Sequence, residues 1–308
     1  MSRYLFQRLV ATFISLIGAT AIAFFASRLA PGDPIRMMIG DQNVSNDVVL
    51  QLQRQYGLDQ PILLQYFYFL KNAATGDLGT SYYYIGKPVT QVIAPGILIS
   101  LRWESISLGL SVIGALLLGT VAAVRQNSWL DYLTMFVALA GISLPSFALA
   151  TFLIVIFSLQ LGLLPVAGLD TPAHYILPCV VMAAQPMALL ARLVRASMLE
   201  VINMEYMTTA RAKGLSELAV IMRHGLKNAL LPAVTVLGIM IGRIMAGSFL
   251  VETIFSIPGL GRIGVQAVVQ RDYPVILGIT VLLSVAFLAV TFVVDTLYGL
   301  LDPRIRVT

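Results

Sequence analysis

Charged side chains inside long apolar runs are the first places where this chain could do chemistry. Arg243 and Asp295 each lie within such a run. An ionisable side chain in a bilayer costs roughly 2.5–3.5 kcal/mol on insertion scales, so it usually faces water, a cavity or a partner. At about 1.5 Å of rise per residue, their predicted depths differ by roughly 15 Å, which argues against a direct salt bridge. Arg243 either snorkels outward or lies at a subunit interface, or it lines a path and meets a carboxylate of a passing solute.

The residue types that usually carry catalysis are scattered along the chain. One cysteine, Cys179, excludes an intramolecular disulfide and a multi-cysteine metal site, and His174 and His224 are well separated. The sequence holds no G-x-x-x-x-G-K-[ST] phosphate loop. The clustered glycines of Pro258–Gly264 follow an apolar span rather than a strand, so we do not interpret them as a nucleotide site. We expect no enzymatic activity, no metal and no bound cofactor. Work against a gradient would need energy from another chain or from ions.

Composition places these residues in a membrane. Hydrophobic residues make up 58% of the 308 residues and charged residues only 11%, whereas a soluble domain has roughly 25% charged residues. The net charge of +5 does not indicate nucleic acid. Instead, the basic residues fall at the ends of apolar runs, where they act as orientation signals. The chain is therefore expected to cross the bilayer several times.

The apolar runs predict an all-α integral membrane protein with six transmembrane helices and both termini in the cytoplasm. These helices are expected at about residues 9–25, 99–124, 132–159, 176–199, 230–250 and 275–298. Arginine and lysine concentrate in the short segments assigned to the inner side, and the short outer loop at 161–175 has neither. We divide the chain into an N-terminal segment with helix one (1–30), an outer loop (31–98) and a transmembrane domain (99–308).

Two segments are expected on the outer side. The polar stretch 31–98 is too long to be a passive connection. It packs on the helix ends as a cap, contacts a partner that delivers a substrate, or does both. The segment 251–274 is too polar to span and is broken by SIPGLG, so it is predicted to dip back as a short re-entrant helix.

Prolines interrupt two of the predicted spans. Pro145 removes a backbone hydrogen bond, and the hydroxyls of Ser143 and Ser146 can satisfy the freed groups. Gln185 precedes Pro186 in the next span and predicts a second break. Each is either a packing kink or a polar point beside a water-filled path, so Ser143, Pro145, Ser146, Gln185 and Arg243 are candidate pathway residues.

The polar segment from Glu205 to Pro232 separates two apolar spans and is expected on the cytoplasmic side. It predicts helix, turn, helix: Asn203 caps the first helix, Gly214 ends it, and Ser216 caps a second helix that runs into Leu230. The loop 203–228 is either a passive cytoplasmic loop or a compact knob offered to another protein.

Here the sequence resembles a known family. TTARAKG followed by RHGLKNALLP looks like the cytoplasmic EAA loop of ABC importer permeases of the dipeptide/oligopeptide class, with Thr208 in the place of the name-giving Glu. LAPGDP, GLDQP, GDLGTS, PGLGR and RDYPVI are similar to that class at matching places. The resemblance covers essentially the whole chain.

The resemblance implies a permease subunit in a prokaryotic inner membrane, in contact with membrane lipid and not with nucleic acid. It implies a second, homologous and non-identical permease, two ATPases that bind ATP and Mg²⁺, and an extracytoplasmic binding protein. It also implies that the loop is the coupling helix against an ATPase. By position the contact residues would be Glu205, Thr208, Thr209, Ala210, Arg211, Ala212, Lys213, Gly214, Leu215, Ser216 and Glu217. The solute itself is open among dipeptides, oligopeptides, glutathione, nickel complexes and other small molecules.

A rival function is a self-sufficient ion-coupled transporter or channel. It needs a carboxylate inside the membrane, and Asp295 is the candidate that the sequence offers, near the inner edge of the last span.

Overall fold

The fold is a bundle of helices, seen in a computed structural model that describes residues 2–29, 35, 45–245 and 249–301. No β-strand occurs among the described residues beyond one isolated bridge between Thr80 and Pro88. The α-helices are α1 (Ser2–Leu29), α2 (Asn46–Gln55), α3 (Ile62–Ala74), α4 (Val89–Val124), α5 (Trp129–Ser143), α6 (Ser146–Leu153), α7 (Ala173–Ile202), α8 (Glu205–Ala212), α9 (Glu217–Ala219), α10 (Lys227–Met245), α11 (Phe249–Ile254), α12 (Leu260–Val269) and α13 (Tyr273–Leu301). Two π-helical segments, Ile154–Gln160 and Val220–Leu226, continue α6 and α9.

Four of these helices are long and apolar enough to cross a membrane: α1, α4, α7 and α13. The pair α5 and α6, with its π-helical continuation, passes the same test when taken together. The all-helical, membrane-embedded class that the sequence predicts is therefore confirmed. The C-terminal Arg304 and Arg306, on which the inner position of that end was predicted, lie outside the described residues, as does most of the LAPGDP motif.

The centre of the bundle is the contact between α4 and α7. Buried small residues recur every three or four positions along the second half of α4 and let the two backbones approach closely; they are Ser107, Ser111, Ala115, Gly119 and Ala122. A Cβ added at Gly119 would lie 2.6 Å from the carbonyl oxygen of Ala191 in α7. Ser111 donates a hydrogen bond to Ser107 in its own helix at 2.8 Å, so its hydroxyl is satisfied without water.

Helix α4 begins about ten residues earlier than the sequence predicts. Pro88 precedes it, and Pro95 lies within its second turn, where a membrane helix tolerates the missing donor. Glu104, expected near the outer end of a span, is consequently a buried side chain well inside a helix of 36 residues. Helix α4 therefore begins within the segment 31–98 that the sequence assigns to the outer loop.

The third predicted span is two helices instead of one kinked helix. Helix α5 ends at Ser143, Leu144 and Pro145 are extended, and the chain resumes in α6 at an angle of 111°. The break predicted at Gln185–Pro186 is wrong, because α7 continues through both Pro178 and Pro186. Proline removes one donor there but leaves the surrounding turns hydrogen-bonded.

Two segments that the sequence places on the outer side contact each other. The 251–274 region contains the short helices α11 and α12 rather than a span. Asp272, just before α13, is buried and accepts hydrogen bonds from the Ser81 hydroxyl and from the Tyr82 backbone amide at 3.0 Å. The GDLGTS and RDYP motifs, nearly two hundred residues apart, thus meet through Ser81 and Asp272.

Candidate functional site

The polar segment folds as the predicted knob, with one correction at its start. Helix α8 begins after Met204, which has extended backbone angles. The prediction that Asn203 caps α8 is wrong. Asn203 ends α7, and its side-chain amide donates to the Leu199 carbonyl at 3.0 Å. Gly214 has φ +80°, the left-handed conformation that reverses the chain after a helix. Ser216 caps α9 as predicted, accepting from the Ala219 amide at 3.4 Å.

A bidentate ion pair closes this turn. Arg211, in the last turn of α8, donates from Nε and from Nη2 to the two carboxylate oxygens of Glu217, at 3.0 and 2.9 Å. The guanidinium holds the pKa of Glu217 below its ordinary range, and the carboxylate raises the pKa of Arg211. The two residues that sequence reasoning offered to a partner therefore bond to each other across Gly214.

The knob has an apolar interior of its own. Met207, Ala210 and Val220 form a buried cluster against Val201 at the end of α7. Gly225 lies close to this cluster, since a Cβ there would meet the Met207 methyl group at 3.2 Å. Ala210 is 5% exposed and is covered by the knob itself, so it is unavailable for a contact in this conformation.

The remaining predicted contact residues form an exposed surface. This surface, called the coupling face below, consists of Glu205, Thr208, Thr209, Ala212, Lys213, Gly214, Leu215 and Ser216, with Arg211 and Glu217 at its centre. Sequence reasoning missed Leu218, which is 71% exposed beside it, and the exposed Met222. Two apolar side chains four positions apart in a polar segment are the signal that would have found them, because that spacing places them on one side of a helix.

Behind the coupling face lies an apolar groove of about 520 Å³ between the knob and α4. Leu117 and Thr120 line it from α4, and Leu218 and Met222 line it from the knob. Any motion of the knob therefore changes the surface of a central helix of the bundle.

A second ion pair joins the first turn of α5 to the C-terminal part of α7. Arg195 donates from Nε and Nη2 to the Asp131 carboxylate at 2.6 and 2.7 Å, and Asp131 also accepts from the Asn127 amide at 3.0 Å. The Asp131 side chain is 3% exposed. Neither residue was singled out from the sequence, where Arg195 counted only as an orientation signal.

The candidate pathway residues lie at the break between α5 and α6. The Gln185 amide of α7 donates to the Leu144 carbonyl at 3.2 Å, so Gln185 satisfies a group that the break sets free. Sequence reasoning had assigned that task to Ser143 and Ser146. Ser143, Pro145 and Gln185 are exposed, and Ser146 is half-buried. Arg243 lies in α10, and its side chain is outside the described part of the structure.

Buried carboxylates are more numerous than the sequence indicates. Glu104, in α4, is 2% exposed, and Glu252, in α11, is fully buried. The Glu252 carboxylate accepts from the Ser100 hydroxyl at 2.5 Å, from the Trp103 indole at 3.2 Å and from the Arg262 amide at 2.9 Å. The side chain of Asp295, the carboxylate named from the sequence, lies outside the described residues.

The glycines of PGLGR now have a structural explanation. Glu252 lies at the amino end of α12, where backbone amides point outward and the helix dipole favours a negative charge. A Cβ at Gly259 would overlap the Glu252 carboxylate, and one at Gly261 would lie 2.9 Å from its Oε2. The glycine-rich turn thus surrounds a negatively charged group, and that group is the Glu252 carboxylate rather than a bound phosphate.

Among the described residues no cluster of three or more His, Cys, Asp or Glu side chains could hold a metal ion. The arrangement combines an exposed, mostly polar surface at one end of a helix bundle, a broken helix within it and a glycine-cradled carboxylate at the other end.

Comparison with known proteins gives consistent matches. The profile of the family described as "Binding-protein-dependent transport system inner membrane component" matches residues 115–307, and that of its N-terminal part matches residues 1–89. The chain is 41% identical over 307 residues to the dipeptide transport system permease protein DppB of Bacillus subtilis, covering 99% of this chain and 98% of that one. It is 40% identical over 306 residues to the glutathione transport system permease protein GsiC of Escherichia coli K12, covering 99% of each chain.

One solved structure supports the fold. The crystal structure of an amino acid ABC transporter with histidines matches with a TM-score of 0.51 and 16% identity, over 70% of this chain and 94% of that one. At that identity the match supports the shared helical architecture alone.

Proposed function

Since the chain belongs to the family of binding-protein-dependent transport system inner membrane components and is a permease subunit of an ABC importer, we propose that it forms half of a translocation pathway for short peptides. It is a multi-pass protein of the inner membrane and is of the dipeptide/oligopeptide type. Its relatives are named for dipeptide and for glutathione transport, and both solutes are short peptides with free carboxylates. A short peptide is the solute class that both names share.

The proposed complex contains four other subunits. They are a homologous, non-identical permease, two ATPases that bind ATP and Mg²⁺, and an extracytoplasmic binding protein. Hydrolysis takes place on the ATPases, so this chain binds no cofactor. The ion-coupled alternative has no support from the family. The buried Glu252 carboxylate already accepts hydrogen bonds from the Ser100 hydroxyl and the Arg262 backbone amide.

The coupling face is the proposed contact with an ATPase. It is exposed, it is polar with an apolar residue at its edge, and the Arg211–Glu217 pair and the Met207 cluster hold it as one rigid unit. A rigid contact surface loses little conformational entropy on binding. A partner that moves this surface therefore moves the helices attached to it.

Six spans are proposed for the membrane domain: α1, α4, the broken pair α5–α6, α7, α10 and α13. An even number of spans puts both termini on the side of the knob, in the cytoplasm, where the basic residues concentrate. In this arrangement the break at Leu144 and Gln185 lies beside the pathway, and its exposed polar groups face water. Arg243 in α10 is proposed to line the same pathway and to meet a solute carboxylate.

The coupling proposal rests on the left-handed turn at Gly214, which orients the exposed surface of the knob. Proline cannot adopt φ +80°, so a proline at this position should disrupt the turn. The test uses the reconstituted complex with its ATPases, second permease and binding protein. Gly214→Pro is compared with Gly86→Pro, which forces the same change of φ at an open turn on the outer side.

We expect Gly214→Pro to lower stimulated ATP hydrolysis and uptake roughly tenfold or more, because about 1.4 kcal/mol of lost contact energy already changes an equilibrium tenfold. The Gly86→Pro complex should retain both activities. Two results would overturn the proposal: no ATPase co-purifies with the intact chain, or uptake continues without ATP.

A further inference from the structure

Helix α3, in the long segment expected on the outer side, has an unusual surface for a water-exposed cap. None of its residues is buried, yet no charged residue occurs between Asp59 and Lys71. Leu63 and Phe67 are 70% and 61% exposed. Contiguous exposed apolar side chains of this kind mark a contact with a protein or with lipid.

The opposite side of α3 packs on α1. The Tyr66 hydroxyl donates to the Ile17 carbonyl at 2.9 Å and lies 3.0 Å from the Thr20 hydroxyl. The rings of Tyr66 and Phe69 lie with their centroids 5.3 and 5.7 Å from that of Phe24. These contacts define how deep α3 lies relative to α1.

Helix α1 is a candidate membrane span from Leu9 to Leu29. Arg28 lies at the end of this span, with its guanidinium 5.3 Å from the Phe24 ring centroid and close to Tyr82 of the segment expected on the outer side. Ile17 precedes Arg28 by eleven residues, so its carbonyl lies about 17 Å below that level at about 1.5 Å per residue. Half of a hydrocarbon core of about 30 Å is about 15 Å, which places this carbonyl near the bilayer centre. Even the full length of a tyrosine side chain leaves the Tyr66 backbone, in the middle of α3, below the level of Arg28.

Both flanks of α3 return to that outer level. The Tyr56 ring, just after α2, lies 6.1 Å from the Tyr82 ring. Ser81, shortly after α3, donates to Asp272 at the outer end of α13. The chain therefore descends from Tyr56, passes beside the middle of α1 and comes back to Ser81.

We propose that α3 is a re-entrant helix immersed in the outer leaflet, and that its exposed apolar side contacts lipid acyl chains. Its helical hydrogen bonds satisfy the backbone at that depth, as a lipid environment requires. The exposed side continues the apolar surface of α1, where Ile22 is also exposed. This assignment changes the outer segment from a cap above the membrane into one that is partly embedded, and it does not depend on the transported solute.

The test is nitroxide labelling of the assembled complex in liposomes, in a Cys179→Ala background. Phe67→Cys reports on the exposed side of α3, and Ile85→Cys reports on an outer turn as the aqueous control. Doxyl-labelled phospholipids in the same liposomes calibrate depth. Power saturation with oxygen and with a water-soluble nickel chelate then gives the accessibility of each label.

We expect the label at residue 67 to be accessible to oxygen and protected from nickel, at the depth of acyl-chain carbons. Accessibility to nickel equal to that at residue 85 would show α3 to be in water, and protection from both reagents would show it to be covered by another subunit. Either result overturns the proposal. If Phe67→Cys fails to assemble, Leu63→Cys probes the same side of the helix.

Discussion

The carboxylate of Glu217 and the guanidinium of Arg211 share two hydrogen bonds across the turn at Gly214, at 2.9 and 3.0 Å. Both side chains lie at the surface of the knob. Each side chain can therefore act within the knob or on a partner. Exchanging the two charges between positions 211 and 217 distinguishes these roles.

The first prediction concerns that exchange. Arg211→Glu or Glu217→Arg alone should lower stimulated ATP hydrolysis, because like charges would face each other across the turn. The double exchange restores the attraction and should recover most of the hydrolysis, measured on the reconstituted complex. If the double variant is as inactive as the single ones, these side chains act on the ATPase and not on each other.

The pair also predicts a pH dependence. The folded-state pKa of Glu217 is depressed by Arg211, so its contribution is present above the ordinary carboxyl pKa and is lost as pH falls through the lower, folded value. Between about pH 6 and 8 both groups stay charged. The ratio of hydrolysis by the wild type to that by Glu217→Gln should therefore be constant over that range. A ratio that varies there would mean that another titrating group controls the knob.

The second prediction concerns the break between α5 and α6. In Gln185→Leu the Leu144 carbonyl loses its donor. Beside a water-filled path, water replaces that donor and the loss of stability stays within about 0.5 kcal/mol, whereas in lipid an unsatisfied carbonyl costs several kcal/mol. We expect near-normal thermal stability with reduced uptake, and normal behaviour of Gln160→Leu as a control at an exposed glutamine. A large loss of stability would place the break against lipid.

The third prediction tests the packing of α4 on α7. Gly119→Ala pushes a methyl group to within 2.6 Å of the Ala191 carbonyl oxygen, so it should destabilise the protein by about 1–3 kcal/mol. Gly109→Ala, in the same helix, meets no atom within 4 Å and should be neutral or slightly stabilising. The thermal midpoints of the two purified variants give the comparison. Equal midpoints would contradict the close approach.

The fourth prediction concerns Glu252. Replacing it with Gln keeps one acceptor oxygen, which can serve the Ser100 hydroxyl and the Trp103 indole, but puts a donating NH2 group where the Arg262 backbone amide requires an acceptor. Unsatisfied buried groups cost about 1–3 kcal/mol each, so we expect a lower thermal midpoint. Glu200→Gln serves as control because Glu200 is exposed at the inner end of α7. A stable Glu252→Gln variant would argue that the carboxylate is kept for transport and not for folding.

Local chemistry explains what the sequence predicted well. Gly214 and Ser216 determine the turn of the knob within a few residues, and the structure has both in the predicted roles. The existence of the helices follows from their long apolar runs. These features depend on neighbours in sequence.

The sequence-based predictions are wrong where contacts between residues far apart in the sequence determine the local structure. Asn203 has the right side chain for a helix cap, but the chain ends α7 there and Met204 precedes α8. Pro186 has the type that breaks a helix, yet packing of α7 against α4 and α5 keeps it helical. The cradle of Glu252 joins Ser100 to Gly259 and Gly261, and no periodicity reveals a contact over such a separation.

One continuous run of helix extends from Glu217 through the π-helical turn to Met245. At about 1.5 Å per residue it is about 43 Å long, more than the thickness of the hydrocarbon core. The end of the knob and the proposed fifth span, α10, are thus one continuous helix, so in the proposed arrangement a displacement at Leu218 would be transmitted along α10. The π-helical turn at Val220–Leu226 and Pro232 in α10 are the places where this helix can bend.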